Sequence, residues 1–326
     1  MEEKKRYIEL DIAKGIGIFL VVFGHSFPDA SEGIFNNNIF YMNLEHFIYG
    51  FHMPLFIFLS GFLSSKIYNS KSFKDKILYL KNRFMRIGIP YIFIYIVSFC
   101  MKLLLNRYAV NKVETDNILS DFLLGHSSNG GLWFLYVLFL IDIIMLILNF
   151  IDIRIVCICS FALSCFFGNS MYGDNNFKKI GFYLFFFSLG IFISMYYEKI
   201  KNKFNVYLMI ISALLCIFTK ALNTIYLNTI NAMLMIFVIM SLSIIIMNKC
   251  QKISGLLSKL GMYSMDIYII SYFVQVSIRI MLFQKLNLSY EFCFVIMLLG
   301  GLLGSVLISK YIVRKIKILN MLVLGR

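Results

Sequence analysis

The stretch 131–150, GLWFLYVLFLIDIIMLILNF, decides the fold class. It carries one charge, Asp142, and its length is about the 20 largely apolar residues a helix needs to cross a membrane's hydrocarbon core. Nine more segments read the same way, at about 9–27, 46–65, 88–106, 154–169, 179–197, 204–220, 228–248, 262–283 and 291–313. The first follows Lys4, Lys5 and Arg6, as the core of a signal peptide would. No small-residue cleavage site comes after it, and Pro28-Asp29 opens an acidic loop, so it reads as a retained helix. The chain is expected to be all-α: a single integral-membrane domain over 1–326, a polytopic bundle of about ten transmembrane helices.

Composition agrees. The 326 residues are 60% hydrophobic, 17% aromatic and 15% charged, with a mean hydropathy of +0.80. A soluble domain carries roughly 45–50% apolar and about 25% charged residues. These values exclude a cytosolic enzyme, a disordered chain and a soluble nucleic-acid binder. The net charge of +14 comes from short cationic runs between apolar stretches, a topology signal rather than a nucleic-acid footprint. Seven cysteines lie mostly inside apolar runs, with no CxxC or Cys/His ligand spacing. Neither a disulfide framework nor a metal site is expected.

Orientation follows from the same cations. With the N-terminus inside, the inner segments hold 22 of the 31 Lys and Arg residues. The outer loops hold Arg107, Lys112, Lys178, Lys179, Lys220 and Lys285, so both termini are expected to be cytoplasmic. Lys178-Lys179 is the pair that fits this orientation least. The outer loop 28–45 has no cation, whereas the inner segment 66–87 has seven, interleaved with Ile77, Leu78, Leu80 and Phe84. That segment reads as an amphipathic helix lying on the membrane surface.

Ionisable residues inside spans cost about 2.5–3.5 kcal/mol on insertion scales and mark pathways or sites. Here they concentrate in the first two helices. Lys14 and His25 are eleven residues apart. Eleven steps of about 100° return to within roughly 20° of the start, with a rise of about 16 Å. Both therefore lie on one stripe, Lys14 toward the cytosol and His25 in the outer half. Asp11, three residues before Lys14, sits on the same side. The second helix begins His46-Phe-Ile-Tyr49-Gly-Phe-His52-Met-Pro54, which puts His52 roughly 9 Å below the outer boundary, level with His25. Pro54 should break the helix near His52, as happens where backbone lines a cavity. His126 lies in the long outer loop, and Asp142 and Asp266 are expected to pair with polar groups on other helices.

Leu10-Asp11-Ile-Ala-Lys14-Gly15 continuing to Phe-Gly24-His25, followed by Phe51-His52-Met53-Pro54-Leu55-Phe56-Ile-Phe-Leu-Ser60-Gly61-Phe62, resembles the membrane acyltransferase-3 family. That family includes glycan O-acetyltransferases and a fucose 4-O-acetylase-like branch. Arg83-Phe-Met-Arg86-Ile-Gly-Ile-Pro90-Tyr91 and Leu132-Trp133-Phe134-Leu135 are further matches, and the resemblance runs end to end.

The resemblance implies a membrane O-acyltransferase (EC 2.3.1 type) that moves an acyl group, usually acetyl from acetyl-CoA, to a hydroxyl of a surface or lipid-linked glycan. It implies a multi-pass protein of a bacterial cytoplasmic membrane. Acetyl-CoA enters as substrate, with no tightly bound cofactor, no metal and no nucleic-acid partner. The family's basic-x10-His pattern maps onto Lys14 and His25, with Lys14 where many members have Arg, and a late family histidine is replaced by Ser271. On this reading Lys14, Arg83 and Arg86, with Asp11 steadying Lys14, take the nucleotide and phosphates. Ser60 and Trp133 belong to the same substrate and acyl-CoA set. A pore between helices lets the pantetheine arm reach upward. His25 is the general base, its ordinary pKa of about 6.5 suiting proton transfer near neutrality. His52 orients substrate, polarises the thioester or shares the base role. The rival reading is a secondary transporter or flippase, since ten spans with buried charges and a broken helix fit that also. Against it, the charges gather in one hairpin instead of recurring in two halves.

Overall fold

In a computed structural model the described residues are 6–28, 38–70, 72–104, 118–127, 129–168, 175–222, 224 and 227–326. Among them every regular element is helical. The chain runs α1 (Ile8–Gly24), α2 (Ile39–Tyr49), α3 (His52–Tyr68), α4 (Phe73–Arg83), α5 (Ile89–Leu104), α6 (Ile118–Leu124), α7 (Trp133–Ile147) and α8 (Ile153–Phe166). It continues through α9 (Asn176–Ile200), α10 (Val206–Ala221), α11 (Leu227–Lys249), α12 (Gln251–Met262), α13 (Ser264–Ile278), α14 (Tyr290–Leu299), α15 (Ser305–Ile308) and α16 (Lys317–Leu324). Among the described residues seven helices are long and apolar enough to cross a membrane, and α8 and α10 are shorter apolar helices. With α1, which carries Glu9, Asp11 and Lys14, all ten expected segments are helical. The protein is a polytopic helical membrane protein.

Pro54 has no N–H to give the carbonyl of Gly50, and the helix interrupts there: α2 stops at Tyr49, and Phe51 caps α3 with φ −140° and ψ −17°. The expected break is thus present. Two backbone approaches then set the packing. A Cβ on Gly61 would lie 2.1 Å from the carbonyl oxygen of Phe187, and one on Gly190 would lie 2.1 Å from that of Phe58, so α3 and α9 meet backbone to backbone. Small residues serve this purpose where lipid removes the hydrophobic driving force between helices.

Three features differ from expectation. The segment 66–87 is not a separate surface helix: α4 runs through a π-turn at Phe84–Gly88 into α5 as one 32-residue helix. The physical reason is an anchor, because Arg83 and Tyr79 on α4 bond to buried Asp142 on α7. The ten-segment reading leaves the connection after residue 249 unassigned. It folds into α12, and a Cβ on Gly261 would lie 1.8 Å from the carbonyl oxygen of Asp11, so α12 packs directly on α1. Lys179 is buried rather than displayed in a loop. Lys4, Lys5, Lys71, Arg107, Lys112 and the 29–37 portion of the cation-free loop lie outside the described residues.

Candidate active site

α1 ends at Gly24, and His25 follows as its C-cap, held by a hydrogen bond from its own N–H to the carbonyl of Val21 (3.0 Å). Its ring is exposed, facing a cavity of about 540 Å³ instead of packing into the bundle. His52 opens α3 on the other side of the break and is buried, at 2% exposure. Tyr49 lies between the two. Its ring meets His25 edge-on at 6.0 Å and His52 edge-on at 5.1 Å, and its hydroxyl is 3.3 Å from His25 Nδ1. Both imidazoles line the cavity.

The tautomer of His52 can be read from its neighbour. Nδ1 is 2.7 Å from the carbonyl oxygen of Ile48. A carbonyl only accepts, so Nδ1 carries the hydrogen and, in the neutral ring, Nε2 presents its lone pair. For His25, Nε2 lies on the Gly131 side: a Cβ built on Gly131 would be 4.0 Å from it and 3.6 Å from the Tyr268 hydroxyl.

The remaining walls come from distant parts of the chain. The loop 125–131 contributes Gly125, His126, Ser127, Asn129, Gly130 and Gly131; α7 adds Trp133, α9 adds Asn176 and Lys179, and α13 adds Tyr268. This loop is fastened from several sides. Asn129 Oδ1 accepts from the Gly131 N–H (3.0 Å), Tyr268 donates to the Gly131 carbonyl, and Asn176 Nδ2 donates to the Leu124 carbonyl (2.8 Å). Gly125 turns it with φ +75°, a left-handed value that suits glycine. Trp133 is wedged between Tyr183, stacked at 5.4 Å, and the Lys179 ammonium 4.2 Å from its ring centre.

The other candidate residues gather elsewhere. Asp11 accepts from Arg6 (2.8 Å) and pairs with Lys14 (3.5 Å), the steadying contact its spacing implied. Arg86 lies within electrostatic reach of Lys14, Arg326 and Asp266. Arg83 is committed to a buried pair with Asp142 (2.6 Å) and donates to the Ser60 hydroxyl (2.7 Å), while Tyr79 donates to the other oxygen of Asp142 (2.6 Å). Asp266 accepts from Arg314 (2.9 Å) and from Ser309. Both carboxylates thus find the partners on other helices that their burial required.

The structure therefore brings His25, His52 and Trp133 into one cavity, whereas Asp11, Lys14, Arg83, Arg86 and Ser60 are not among its lining residues. Between the two groups α1 carries Ile18, Val21 and Val22, all buried. Tyr49, His126, Asn129, Asn176, Lys179 and Tyr268 were not assigned to the site from sequence. Tyr268 had a signal, lying three residues before Ser271, which stands where the family has a late histidine; the others depend on loop and helix placement. Among the described residues no group of three His, Cys, Asp or Glu side chains is placed to hold a metal ion.

No curated protein and no solved structure matches the chain significantly. A family model does. The acyltransferase-3 model, described as an acyltransferase domain, matches residues 7–310 and so takes in the helix-one stripe, the break at His52 and every lining residue of the cavity; the chain belongs to that family, and its chemistry is acyl transfer.

Proposed function

We propose that the protein transfers an acetyl group from acetyl-CoA to a hydroxyl of a surface or lipid-linked glycan, in the cavity between His25 and His52. The family supports acyl transfer in general. The observation that carries the finer reading is the pair of imidazoles flanking Tyr49 on one open cavity. His25 is the general base: its ring is open to the cavity, and Nε2 accepts the hydroxyl proton when Nδ1–H donates to the Tyr49 oxygen. The acceptor oxygen then forms its bond to the acetyl carbon, the C–S bond breaks, and the CoA thiolate takes up the proton from His25. His52, with Nε2 as an acceptor, suits holding a second hydroxyl or sharing the base role. In the neutral ring it has no hydrogen there with which to polarise a thioester.

The donor reading uses the opposite end. Lys14, held by Asp11, and Arg86 form the cationic group for the nucleotide and phosphates of acetyl-CoA, a substrate and not a bound cofactor. Arg83 and Ser60, tied to Asp142, brace that region. With the cation-rich segments inside, the cavity faces outward from a bacterial cytoplasmic membrane and both termini are cytoplasmic. Family membership favours transfer over the solute-transport reading.

Purified protein in detergent, supplied with acetyl-CoA and a mixed pool of bacterial glycans, tests this through release of the CoA thiol. Release that depends on the glycan, with O-acetyl groups appearing on it, is the expected result. Turnover with no dependence on glycan, or no stabilisation of the protein by CoA, sinks the assignment.

A further inference from the structure

The two imidazoles leave one demand of acyl transfer unmet. When an acceptor oxygen adds to a thioester, the carbonyl electrons move onto oxygen, and the charge developing there needs a hydrogen-bond donor. His25 is occupied with the acceptor's proton, and His52 Nδ1 is given to the Ile48 carbonyl. The cavity holds a third group of the right kind. Asn129 is 6% exposed and lines the cavity. Its Oδ1 takes the N–H of Gly131 (3.0 Å), which turns the Nδ2 branch of the amide away from that bond. Among the described residues nothing accepts from Nδ2, and it is not one of the polar atoms sealed without a partner, as Asn176 Oδ1 is. Nδ2 therefore opens onto the cavity with its hydrogens unused.

We propose that Asn129 Nδ2 is the oxyanion donor of the transfer. This deepens the reading in which the cavity is the transfer site, and it rests on that reading. Position supports it. A side chain built on Gly131 would begin 3.5 Å from Asn129 Oδ1, 3.6 Å from the Tyr268 hydroxyl and 4.0 Å from His25 Nε2. The amide and the base thus border one small volume, which the glycine leaves open. The attacking oxygen and the oxyanion share one carbon, so base and donor have to lie that close. Rigidity supports it as well. The Asn129 N–H donates to Ser127 Oγ (3.1 Å), its carbonyl accepts from the Leu132 N–H (3.0 Å), and Tyr268 donates to the Gly131 carbonyl. A donor fixed in advance needs no reorganisation when the charge appears. In the step itself the acceptor oxygen bonds to the acetyl carbon, and the C=O electron pair moves to oxygen against Asn129 Nδ2–H. Return of that pair expels the CoA thiolate, which takes the proton His25 received.

Asn129→Asp keeps an oxygen for the Gly131 N–H and removes only the donor, and Asn129→Ser can keep the same turn bond. Each full-length protein in detergent is assayed with the mixed pool of bacterial glycans and two acyl donors. One is acetyl-CoA; the other is its dithio analogue, whose carbonyl oxygen is replaced by sulfur, a weak hydrogen-bond acceptor. With acetyl-CoA, kcat of both variants should fall by about 100- to 1,000-fold, while KM for acetyl-CoA and the melting temperature stay near wild type. With the analogue the fall should be smaller by about tenfold or more, because the wild type gains little from the donor there. A merely structural role would slow both donors alike. The wild type by itself should turn over acetyl-CoA faster than the analogue by about the same factor, a comparison that stands even where a variant fails to fold. Normal kcat in either variant, an equal fall with both donors, or a wild type that uses the two equally overturns the proposal. Each of these leaves the acetyl-transfer reading in place. Only a wild type that transfers nothing removes that reading, and it takes the oxyanion assignment with it.

Discussion

His52 Nδ1 and the carbonyl oxygen of Ile48 are 2.7 Å apart, joined across the interruption that Pro54 creates. The bond does two things at once. It adds a second donor to a carbonyl at the helix break that the Phe51 N–H also reaches (3.3 Å), and so ties the His52 ring to the end of α2. It also directs the lone pair of the neutral ring to Nε2. Structure and chemistry can be separated here by choosing replacements that keep one nitrogen position and lose the other. His52→Asn can retain the donor to Ile48 but not the distal nitrogen. It should leave the melting temperature close to wild type and lower kcat by roughly 100- to 10,000-fold. A variant with normal turnover would show that Nε2 has no part in the reaction.

His25 makes no such backbone bond through its ring. Its replacement by Ala should therefore leave the protein inserted and folded, with a thermal transition unchanged and acetyl transfer lost. Full O-acetylation of glycan by His25→Ala would reject the general-base assignment.

At the other end, Lys14→Ala should raise KM for acetyl-CoA with a smaller effect on kcat, because its proposed role is to bind the donor. Lys14→Arg should keep most of the activity, since charge is preserved and Asp11 remains within reach. Steady-state kinetics with varied acetyl-CoA checks both variants, and an unchanged KM in Lys14→Ala would remove this residue from the donor site.

The Arg83–Asp142 pair predicts a stability effect without direct chemistry. Asp142 is buried with Arg83 and Tyr79 bonded to its two oxygens, and Arg83 also reaches Ser60. Asp142→Ala strands a buried guanidinium and should destabilise the protein by about 3–5 kcal/mol. Thermal unfolding in detergent measures it. A neutral outcome would mean that α4 can release Arg83 to lipid headgroups at little cost.

Gly61→Ala tests the α3–α9 contact. Its new Cβ would meet the Phe187 carbonyl, which cannot move without its helix, so α3 must shift. A loss of about 1–3 kcal/mol is expected. Because α3 begins with His52, acetyl transfer should fall as well, even though Gly61 does not line the cavity.

Hydropathy settled the helical membrane class, the ten segments and the break before α3, since each depends on a window of about 20 residues or on one proline. Helical periodicity likewise put Asp11 beside Lys14 on α1, where the two pair at 3.5 Å. Tertiary structure decided what each polar group meets. Asp142 finds Arg83 from 59 residues away, and Trp133 is wedged between Tyr183 and Lys179. α12 seats on α1 where Gly261 has no side chain to keep them apart. Such partners are chosen by shape and by how closely two backbones can approach, and neither is a property of any short stretch of chain. For the same reason the motif residues Arg83 and Ser60, neighbours of the site in sequence pattern, brace α3, α4 and α7, while the loop 125–131 and the start of α9, silent in sequence, close the walls around His25.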